Sequence, residues 1–410
     1  MNDLCEPFVR RVAILSLHTS PLAQPGSGDS GGMNVYVREL AASLAHHGVE
    51  VHVYVRRWHD DLPVEVLVEP GVRVVHIDAG SADLTKEELY EQVDTFADGV
   101  VADLEAIGGA CALHANYWLS GVVGHQIKHR LNLPLITTFH TLARVKAETG
   151  DFEPERRARA EAEVISCSEV LTASGAAEAH WLERLYRTPS DRIEIVTPGV
   201  KTAFFSPGNQ RGARDAVGFG DEPMLLFVGR IQPLKGVTVA VEALAHLEDS
   251  TAKLVVVGGP SGREGDAELA KVHALIETHE LHDRVRFEKP IPHHLLSTWY
   301  RAADVVVVPS RSESFGLVAL EAAACGTPVV AAAVGGLRTI VDHGRTGFQV
   351  DRRDPTVYAA YIDQLLGNSL LRTEMSVAAA VNARTFSWKA TAERLLEIYN
   401  RLASSNLVDC

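Results

Sequence analysis

The stretch DVVVVPSRSESFGLVALEAAACGTPVV, residues 304–330, holds the pattern that decides the fold. It opens with a β-branched run at 304–310 that predicts a buried strand, and a second apolar run follows at 327–335. Between them, the almost wholly apolar FGLVALEAAACG predicts a buried helix that begins near Phe315. Apolar strands that alternate with helices are typical of a parallel sheet covered on both faces.

The same alternation continues outward along the chain. Further strands are predicted at 12–17, 49–55, 72–77, 133–140, 169–174, 193–199, 224–229, 252–259 and 285–290, and amphipathic helices at 33–48 and 86–107. A stretch rich in glycine, proline and arginine, 197–223, interrupts the pattern just before a new strand begins. We therefore predict an α/β fold with two doubly wound Rossmann-like domains that face each other across a cleft.

The interruption divides the chain into three parts. We place an N-terminal Rossmann-like domain at 1–205, a second one at 206–385, and a C-terminal helical segment at 386–410. Chain order favours a return of this last segment to the N-terminal domain. Ligands of doubly wound domains bind at the carboxyl ends of the strands, so the loops after strands are the expected place for functional residues.

The composition excludes several classes of function. With 53 acidic and 39 basic side chains the net charge is −14, which argues against binding to nucleic acid or to an anionic membrane. The five cysteines have no metal-ligand spacing, and they predict free thiols in a reducing compartment. No run approaches the roughly 20 apolar residues of a membrane span, and no signal peptide is recognisable. We therefore expect a cytoplasmic protein without integral membrane association.

A glycine-rich loop, GSGDSGG at 26–32, follows the first strand and runs into a helix. Gly31 and Gly32 would let backbone N–H groups approach a phosphate at the positive end of that helix. A tight strand-to-helix turn would use the same glycines, so the motif alone leaves both interpretations open. Its spacing differs from the dinucleotide fingerprint, which disfavours a dehydrogenase.

Two charged motifs lie at predicted strand ends in the second domain. In FVGRIQPLKG, Arg230 and Lys235 either straddle a pyrophosphate or lie in a solvated loop. Glu313 lies in the loop after the buried strand of the opening stretch. Glu321 lies within the buried helix, where a carboxylate needs polar partners. Sugar or ribose hydroxyls and an internal salt bridge would each satisfy that need.

Histidines mark strand ends in the first domain. His140, followed by Thr141, ends one predicted strand, and His18 follows the first strand. A single histidine in such a place is more often structural than catalytic. Two of them at neighbouring strand ends of one domain favour a site there.

The Gly-Gly loop, the strand-end histidine, Arg-x₄-Lys and Glu-x₇-Glu occur in this order across two doubly wound domains. This set resembles the retaining nucleotide-sugar glycosyltransferases of the GT-B fold, specifically glycosyltransferase family 4. The stretches HTSPLAQPGSGDSGGMNVYV, NYWLSG, FHTLARVK, FVGRIQPLKG and SESFGLVALEA are most similar to family members that glycosylate inositol phosphate in mycothiol synthesis. Sucrose synthase and sucrose-phosphate synthase share the loop and the donor motifs and are the nearest alternatives.

The resemblance implies a donor site for a nucleotide sugar. Arg230 and Lys235 would bind the diphosphate and stabilise the leaving group. Glu313 would hold hydroxyls of the transferred sugar, Glu321 would hold the ribose, and His140 would lie beside the reacting sugar. The catalytic residues are then His140, Arg230, Lys235 and Glu313. The donor-binding residues are Gly31, Gly32, Arg230, Lys235, Glu313, Phe315, Gly316, Leu317 and Glu321.

The resemblance implies a second set of residues for the acceptor, a small polyol or sugar phosphate. These residues are His18, Asn34, Lys86, Tyr117, Thr141 and Arg157. A basic cluster in an acidic protein suits a phosphorylated acceptor. Two departures concern this set: the family's His-Ser-His-Tyr-Trp reads His114-Ala115-Asn116-Tyr117-Trp118, and Arg156 and Arg159 can substitute for Arg157 in the alignment. An acceptor from secondary metabolism therefore stays open.

The implied reaction is a hexosyl transfer with retention, from a UDP-linked N-acetylglucosamine or glucose to the acceptor. The acceptor attacks from the face that the diphosphate leaves, so catalysis depends on electrostatic stabilisation and positioning rather than on a protein nucleophile. No cofactor or metal is implied to be essential, although the resemblance allows Mg²⁺. The sequence does not fix the oligomeric state, and a homodimer stays open. A sugar-binding protein without catalysis would need a secretion signal and no diphosphate cations, and the sequence contradicts both expectations.

Overall fold

The computed structural model describes residues 9–26, 30–86, 88–151, 153–262, 264–404 and 406–410. The chain forms two compact units. The first unit comprises Met1–Ala23, Met33–Thr197 and Trp388–Cys410, and the second comprises Gln24–Gly32 and Pro198–Ser387. The glycine-rich loop after the first strand therefore belongs to the second unit, and the last residues of the chain belong to the first.

Each unit is built on one sheet. The strands of the first unit are β1 (Arg11–Leu15), β2 (Glu50–Arg56), β3 (Glu65–Glu69), β4 (Val72–Ile77), β5 (Ala112–Asn116), β6 (Leu135–Thr138), β7 (Val170–Ala173) and β8 (Ile193–Ile195). Those of the second are β9 (Met224–Val228), β10 (Lys253–Val257), β11 (Val285–Glu288), β12 (Val305–Val308), β13 (Val329–Ala332) and β14 (Gly347–Val350). Within the described residues, the strand order is β3-β4-β2-β1-β5-β6-β7-β8 in one sheet and β11-β10-β9-β12-β13-β14 in the other.

Helices connect almost all of these strands. They are α1 (Gly32–His46), α2 (Val93–Ala106), α3 (Trp118–Leu131), α4 (Ala143–Glu148), α5 (Glu155–Cys167), α6 (Ala176–Tyr186), α7 (Gln210–Val217), α8 (Val237–Ala245), α9 (Gly265–Thr278), α10 (Leu296–Ala302), α11 (Leu317–Ala324), α12 (Leu337–Ile340), α13 (Pro355–Gly367), α14 (Ser369–Ala383) and α15 (Trp388–Ala403). The opening stretch of the sequence analysis thus forms β12, α11 and β13, as predicted.

The pairing of the strands confirms the predicted class, two α/β domains with parallel sheets. The central pairs β1–β2, β1–β5, β9–β10 and β9–β12 are all parallel. Only β3, among the described strands, runs antiparallel to its neighbour, β4. It is a partly exposed edge strand. The strands β3, β5 and β14 are not among those predicted from the sequence. Antiparallel edge strands on parallel sheets are common in doubly wound folds.

The two faces of each sheet are covered by different parts of the hydrophobic core. In β1, Ala13 and Leu15 belong to one cluster of buried residues, whereas Val12 and Ile14 belong to another. Side chains alternate between the two faces of a strand, so both faces of this sheet are buried. The strand β9 shows the same division in the second unit.

The last helix, α15, is part of the core of the first unit. Trp388, Leu395 and Tyr399 are buried in the same cluster as the side chains of β1. The hydroxyl of Tyr399 is hydrogen-bonded to Nδ1 of His114 in β5, at 2.6 Å. No helix in the described part of the chain is long and apolar enough to cross a membrane.

The cysteines differ from the sequence-based expectation. Cys167 and Cys410 are joined by a disulfide, with their Cα atoms 5.4 Å apart. Cys111 is disulfide-bonded as well, whereas Cys325 is free and buried; Cys5 lies outside the described residues. The prediction of free thiols is therefore wrong for the bonded cysteines. The fold brings together residues 243 positions apart, a pairing that spacing along the chain cannot indicate.

Candidate active site

Polar side chains of the first unit gather where β5 and β6 end. Tyr117 directly follows β5, and its φ of 78° lies in the left-handed region, which is uncommon for a bulky residue. Its backbone N–H donates to the carbonyl oxygen of Thr138 at 2.8 Å, which fixes the turn. Strained backbone of this kind clusters at functional sites.

Three predicted acceptor residues, His18, Lys86 and Arg157, contact Tyr117, and a fourth, Thr141, is hydrogen-bonded to Arg157. We call these five residues the Tyr117 cluster. The ring centroids of His18 and Tyr117 are 4.3 Å apart. Nζ of Lys86 and Cζ of Arg157 lie 4.7 Å and 5.0 Å from the centroid of the Tyr117 ring. Nη2 of Arg157 donates to both the hydroxyl and the carbonyl oxygen of Thr141, at 3.0 Å. The cluster is thus built from loops after β1, β4, β5 and β6 and from α5.

Carboxylates hold Arg157 in place. It is buried in α5, where its Nε donates to Glu161 and its Nη1 to Glu153, each at 2.8 Å. Glu161 is fully buried, and its two oxygens share a hydrogen bond from the backbone N–H of Ala143. These carboxylates balance the charge of the guanidinium, so the cluster is less basic than the sequence suggests.

The structure separates Arg157 from its two alternatives in the alignment. Arg156 lies over the ring of Tyr90, with Cζ 5.3 Å from the ring centroid. Arg159 is exposed and pairs with Glu155 at 3.7 Å. Among these three arginines, Arg157 is the one in contact with Tyr117.

Asn34 and His140 are fixed by hydrogen bonds in the same unit. In the first turns of α1, Nδ2 of Asn34 donates to the hydroxyl of Thr19 at 2.6 Å and to the carbonyl oxygen of Ser20 at 2.5 Å. This ties it to the loop that carries His18. His140, with a φ of 60°, is hydrogen-bonded through Nε2 to Oδ1 of Asn116 at 2.9 Å.

His140 is held in its neutral form. Burial, with a smaller effect from His114, lowers the pKa of His140 to about 3. At neutral pH the imidazole therefore carries no charge. The neutral ring can form hydrogen bonds with a ligand, but it has no positive charge to pair with a phosphate.

In the second unit, Lys235 and Glu313 meet because their strands are neighbours. Lys235 follows β9 and Glu313 follows β12, and the carboxyl ends of these parallel strands lie side by side. Nζ of Lys235 donates to Oε2 of Glu313 at 2.7 Å. The carbonyl oxygen of Glu313 accepts from the N–H of Gly336 at 3.0 Å, which fixes the loop. Both side chains remain partly accessible.

Arg230 lies next to the glycine-rich loop. A β-carbon at Gly31 would be 3.7 Å from Nε of Arg230, and one at Gly32 would be 3.5 Å from Cδ1 of Leu317. Both are ordinary van der Waals distances, so the fold itself does not require glycine at either position. Residues 27–29 of the loop lie outside the described residues.

Glu321 has protein partners for both of its oxygens. Nε2 of His293 donates to Oε1 at 2.6 Å, and the hydroxyl of Tyr300 donates to Oε2 at 2.9 Å. Burial and the charge of Glu321 raise the pKa of Tyr300 well above its usual value, so the phenol stays a donor. These two hydrogen bonds compensate for the burial of the carboxylate in α11. The carboxylate oxygens have further lone pairs that can accept from a ligand.

The three residues before and at the start of α11 differ in their roles. Phe315 is buried in the core. Gly316 has a φ of 103°, and a β-carbon there would lie 2.6 Å from Cδ2 of Leu337, so this position requires glycine. Leu317 is the first residue of α11 and is only partly buried.

Asn116, His293 and Tyr300 were not predicted as site residues. Each acts through a partner that is distant in sequence: His293 and Tyr300 precede Glu321 by 28 and 21 residues. No short motif joins them. Asn116 does carry a signal, because it is one of the positions at which the stretch before Tyr117 departs from the family pattern.

Comparisons with known proteins agree with this architecture. The family model "Glycosyl transferase 4-like domain" matches residues 31–199, and "Glycosyl transferases group 1" matches residues 210–382. The chain is 46% identical over 410 residues to D-inositol 3-phosphate glycosyltransferase 2 of Catenulispora acidiphila, covering 97% of this chain and 96% of the relative. It is 45% identical over 406 residues to D-inositol 3-phosphate glycosyltransferase of Thermobispora bispora, covering 95% and 94%.

A solved structure gives the same result for the fold. Sucrose-phosphate synthase from Thermosynechococcus elongatus superposes on this chain with a TM-score of 0.91. The two sequences are 31% identical, and the superposition covers 97% of this chain and 100% of the synthase chain. The chain therefore belongs to the group 1 glycosyltransferases, the GT-B enzymes that include the D-inositol 3-phosphate glycosyltransferases.

Proposed function

We propose that this glycosyltransferase moves N-acetylglucosamine or glucose from a UDP-sugar to inositol phosphate, with retention at the anomeric carbon. The observation that carries the proposal is the Tyr117 cluster, in which Lys86 and Arg157 flank one phenol ring beside a threonine hydroxyl. Two cations and the hydroxyl groups of Tyr117 and Thr141 suit a ligand that has one phosphate and many hydroxyls. The names of the near-full-length relatives support the same acceptor.

The donor diphosphate would bind to Lys235 and Arg230. An ammonium group has three N–H donors, so Lys235 can bond a phosphate oxygen while it keeps its bond to Glu313. The guanidinium of Arg230 offers a planar fork to the same group. As the bond to the sugar breaks, negative charge grows on the diphosphate, and fixed cations stabilise that charge. Glu313 would then be free to accept from sugar hydroxyls with its second oxygen.

His140 would orient the sugar rather than transfer a proton. Because its pKa is lowered to about 3, the neutral ring can hydrogen-bond a sugar hydroxyl near the reacting carbon. The proton of the attacking hydroxyl would leave with the diphosphate, on the same face of the sugar. Retention then needs no carboxylate nucleophile, and the chain supplies binding, orientation and charge.

We expect no resident cofactor in this reaction. If Mg²⁺ takes part, it would accompany the phosphate of the acceptor, and a chelator would then raise the KM of the acceptor without abolishing turnover. The cytoplasmic location and the homodimer stay predictions.

A panel of donors and acceptors tests the proposal. UDP-, GDP- and ADP-linked N-acetylglucosamine and glucose are each combined with inositol phosphate, inositol, fructose and fructose phosphate. We expect the highest kcat/KM with a UDP-sugar and inositol phosphate. A preference for fructose phosphate would instead support a sucrose-phosphate synthase activity, the second candidate, since this chain is 31% identical to such an enzyme over 97% of its length.

A further inference from the structure

The C-terminal tail of the chain is fixed to the first unit by a buried ion pair. Nζ of Lys128, in α3, lies 2.5 Å from Oε1 of Glu169, and their side chains are only 1% and 3% exposed. Val408 bonds to both partners: its N–H donates to Glu169 at 2.8 Å, and its carbonyl oxygen accepts from Lys128 at 3.0 Å. A buried charge pair needs such additional hydrogen bonds, so the tail completes it. The arrangement places Cys410, two residues further on, beside Cys167.

Four side chains with metal-binding atoms converge at this point. His125 and His129 are one turn apart on α3, and their ring centroids are 5.1 Å apart. Nε2 of His129 lies 3.4 Å from Sγ of Cys167 and 3.4 Å from Sγ of Cys410. All four potential ligand atoms lie within 4.8 Å of one another.

We propose that His125, His129, Cys167 and Cys410 form a Zn²⁺ site that fastens the C-terminal tail to the first unit. Two thiolates and two imidazoles are a common ligand set of structural zinc, with Zn–S near 2.3 Å and Zn–N near 2.0–2.1 Å. A tetrahedron with these bond lengths has edges of about 3.3–3.8 Å. The two distances of 3.4 Å from Nε2 of His129 to the sulfurs already match such edges, whereas the two sulfurs, bonded to each other in the disulfide, would move apart after reduction. Thiolate ligands exclude Mg²⁺ and Ca²⁺, which prefer oxygen.

The site forms when the disulfide between its two cysteines is reduced. Two molecules of a small thiol would break the Cys167–Cys410 bond, form their own disulfide, and leave one proton on each cysteine sulfur. Zn²⁺ then displaces these two protons, and the two thiolates neutralise its charge. Cys167 is buried, but His129 and Cys410 are exposed, so the ion has an entry path. The disulfide and the metal would hold the tail at the same place.

The zinc site is separate from the proposed sugar-transfer site. Tyr117 precedes α3, whereas His129 lies 12 positions later in the chain. At about 1.5 Å of rise per residue, this separation is about 18 Å along the helix axis. The inference therefore does not depend on the proposed activity, and its test needs no substrate.

The test is a cobalt titration of the full-length protein. The chain is reduced with a phosphine, freed of metal with a chelator that is then removed, and titrated with Co²⁺ without oxygen. We expect one Co²⁺ per chain, with the intense visible bands of tetrahedral cobalt and a thiolate-to-cobalt charge-transfer band. Stoichiometric Zn²⁺ should remove both signals. Absence of one-to-one binding by the reduced protein, or the weak spectrum of octahedral cobalt, would overturn the proposal.

Variants identify the ligands. Cys410→Ser and His129→Ala should each weaken Zn²⁺ binding about 100-fold or more, since one of four ligands is lost. His279→Ala, which changes an exposed histidine of the second unit, is the matched control and should bind as the unmodified protein does. Hydrogen exchange of residues 406–410 gives a second measurement: Zn²⁺ should slow it in the reduced protein but not in His129→Ala. Unchanged cobalt spectra in both ligand variants would contradict the assignment.

Discussion

The Lys235–Glu313 pair is a partly exposed ion pair at the ends of two neighbouring strands. Its N–O distance is 2.7 Å, and the two side chains are 26% and 19% exposed. Pairs with access to water contribute about 0–1 kcal/mol to folding. Stability alone is therefore a weak explanation for two opposite charges at the ligand-binding edge of a sheet. Ligand binding explains the pair better, and it leads to a test.

We expect Lys235→Ala to lower kcat about 100- to 1,000-fold, because in the proposed reaction it removes one fixed charge that would stabilise the departing diphosphate. Lys253→Ala is the matched control, since Lys253 forms a similar pair with Glu222, at 2.6 Å, at the amino end of β10. Steady-state kinetics and thermal unfolding of both variants are the measurements. A near-normal kcat in Lys235→Ala would remove this residue from the donor site.

Gly32 offers a second test at the scale of one residue. Its added β-carbon would meet only Cδ1 of Leu317, at 3.5 Å, so we expect Gly32→Ala to fold normally. The methyl group would occupy space that the donor needs, and kcat/KM should fall about 100-fold. Gly367→Ala, with no described atom within 4 Å of its β-carbon, controls for the loss of a glycine. Full activity of Gly32→Ala would mean that the loop is only a turn.

The proposed acceptor site is tested better at Lys86 than at Arg157. Removal of Arg157 would leave the buried Glu161 without its ion-pair partner, a loss that typically costs about 3–5 kcal/mol and confounds the kinetics. Lys86→Met keeps most of the apolar stem and removes the charge over Tyr117. We expect the KM of inositol phosphate to rise about 10- to 100-fold, the loss of one charge-assisted bond. Unphosphorylated inositol is the internal control, and an equal rise in both KM values would argue against a phosphate contact.

Among the elements, β5 shows which kind of strand local sequence patterns do not predict. The strands β9, β10, β12 and β13 are apolar on both faces, so the sequence alone predicts the parallel sheet of the second unit. The sequence of β5 is ALHAN, and all five residues are buried. His114 is accommodated because Tyr399, 285 positions away, and Thr138 bond its two nitrogens. A buried polar strand is satisfied by tertiary partners, which no local pattern contains, and the partners of Glu321 were missed for the same reason.

Acid should destabilise the first unit through two histidines whose pKa is lowered, His114 and His140. Burial lowers the pKa of His114 to about 3, and the pKa of His140 is lowered to a similar value. In the unfolded chain a histidine has a pKa near 6.5, so between pH 6.5 and 3 the unfolded state binds more protons and stability falls with falling pH. Each histidine should contribute a loss of up to about 2 kcal/mol between pH 6.5 and 5.

Urea unfolding at several pH values measures this loss. His114→Gln should reduce the difference in unfolding free energy between pH 6.5 and 5 by up to about 2 kcal/mol. The exposed His279→Gln should leave the difference unchanged. If His114→Gln showed the full acid sensitivity of the unmodified protein, the buried imidazole would not be the group that titrates.

For the whole molecule, the path of the chain decides which parts can fold alone. The second unit is continuous from Pro198 to Ser387, apart from the short loop Gln24–Gly32. The first unit depends on α15, which comes at the end of the chain. Five large side chains of α15 are buried in the first unit: Trp388, Leu395, Ile398, Tyr399 and Leu402. At about 2 kcal/mol for each, their burial contributes about 10 kcal/mol, which is comparable to the net stability of a domain.

We therefore expect a fragment of residues 1–197 to lack a cooperative unfolding transition, since it leaves the surface that α15 covers exposed. The same fragment, followed by a short flexible linker and residues 388–410, should fold. The hydroxyl of Thr391 donates to the carbonyl oxygen of Thr197 at 2.7 Å, so the start of α15 already lies next to the end of the fragment, and a short linker can join them. Urea unfolding followed by circular dichroism distinguishes the two fragments. A cooperative transition in residues 1–197 alone, at the midpoint of the linked form, would show that α15 is dispensable. If the linked form had no cooperative transition, the first unit would also need the second unit in order to fold.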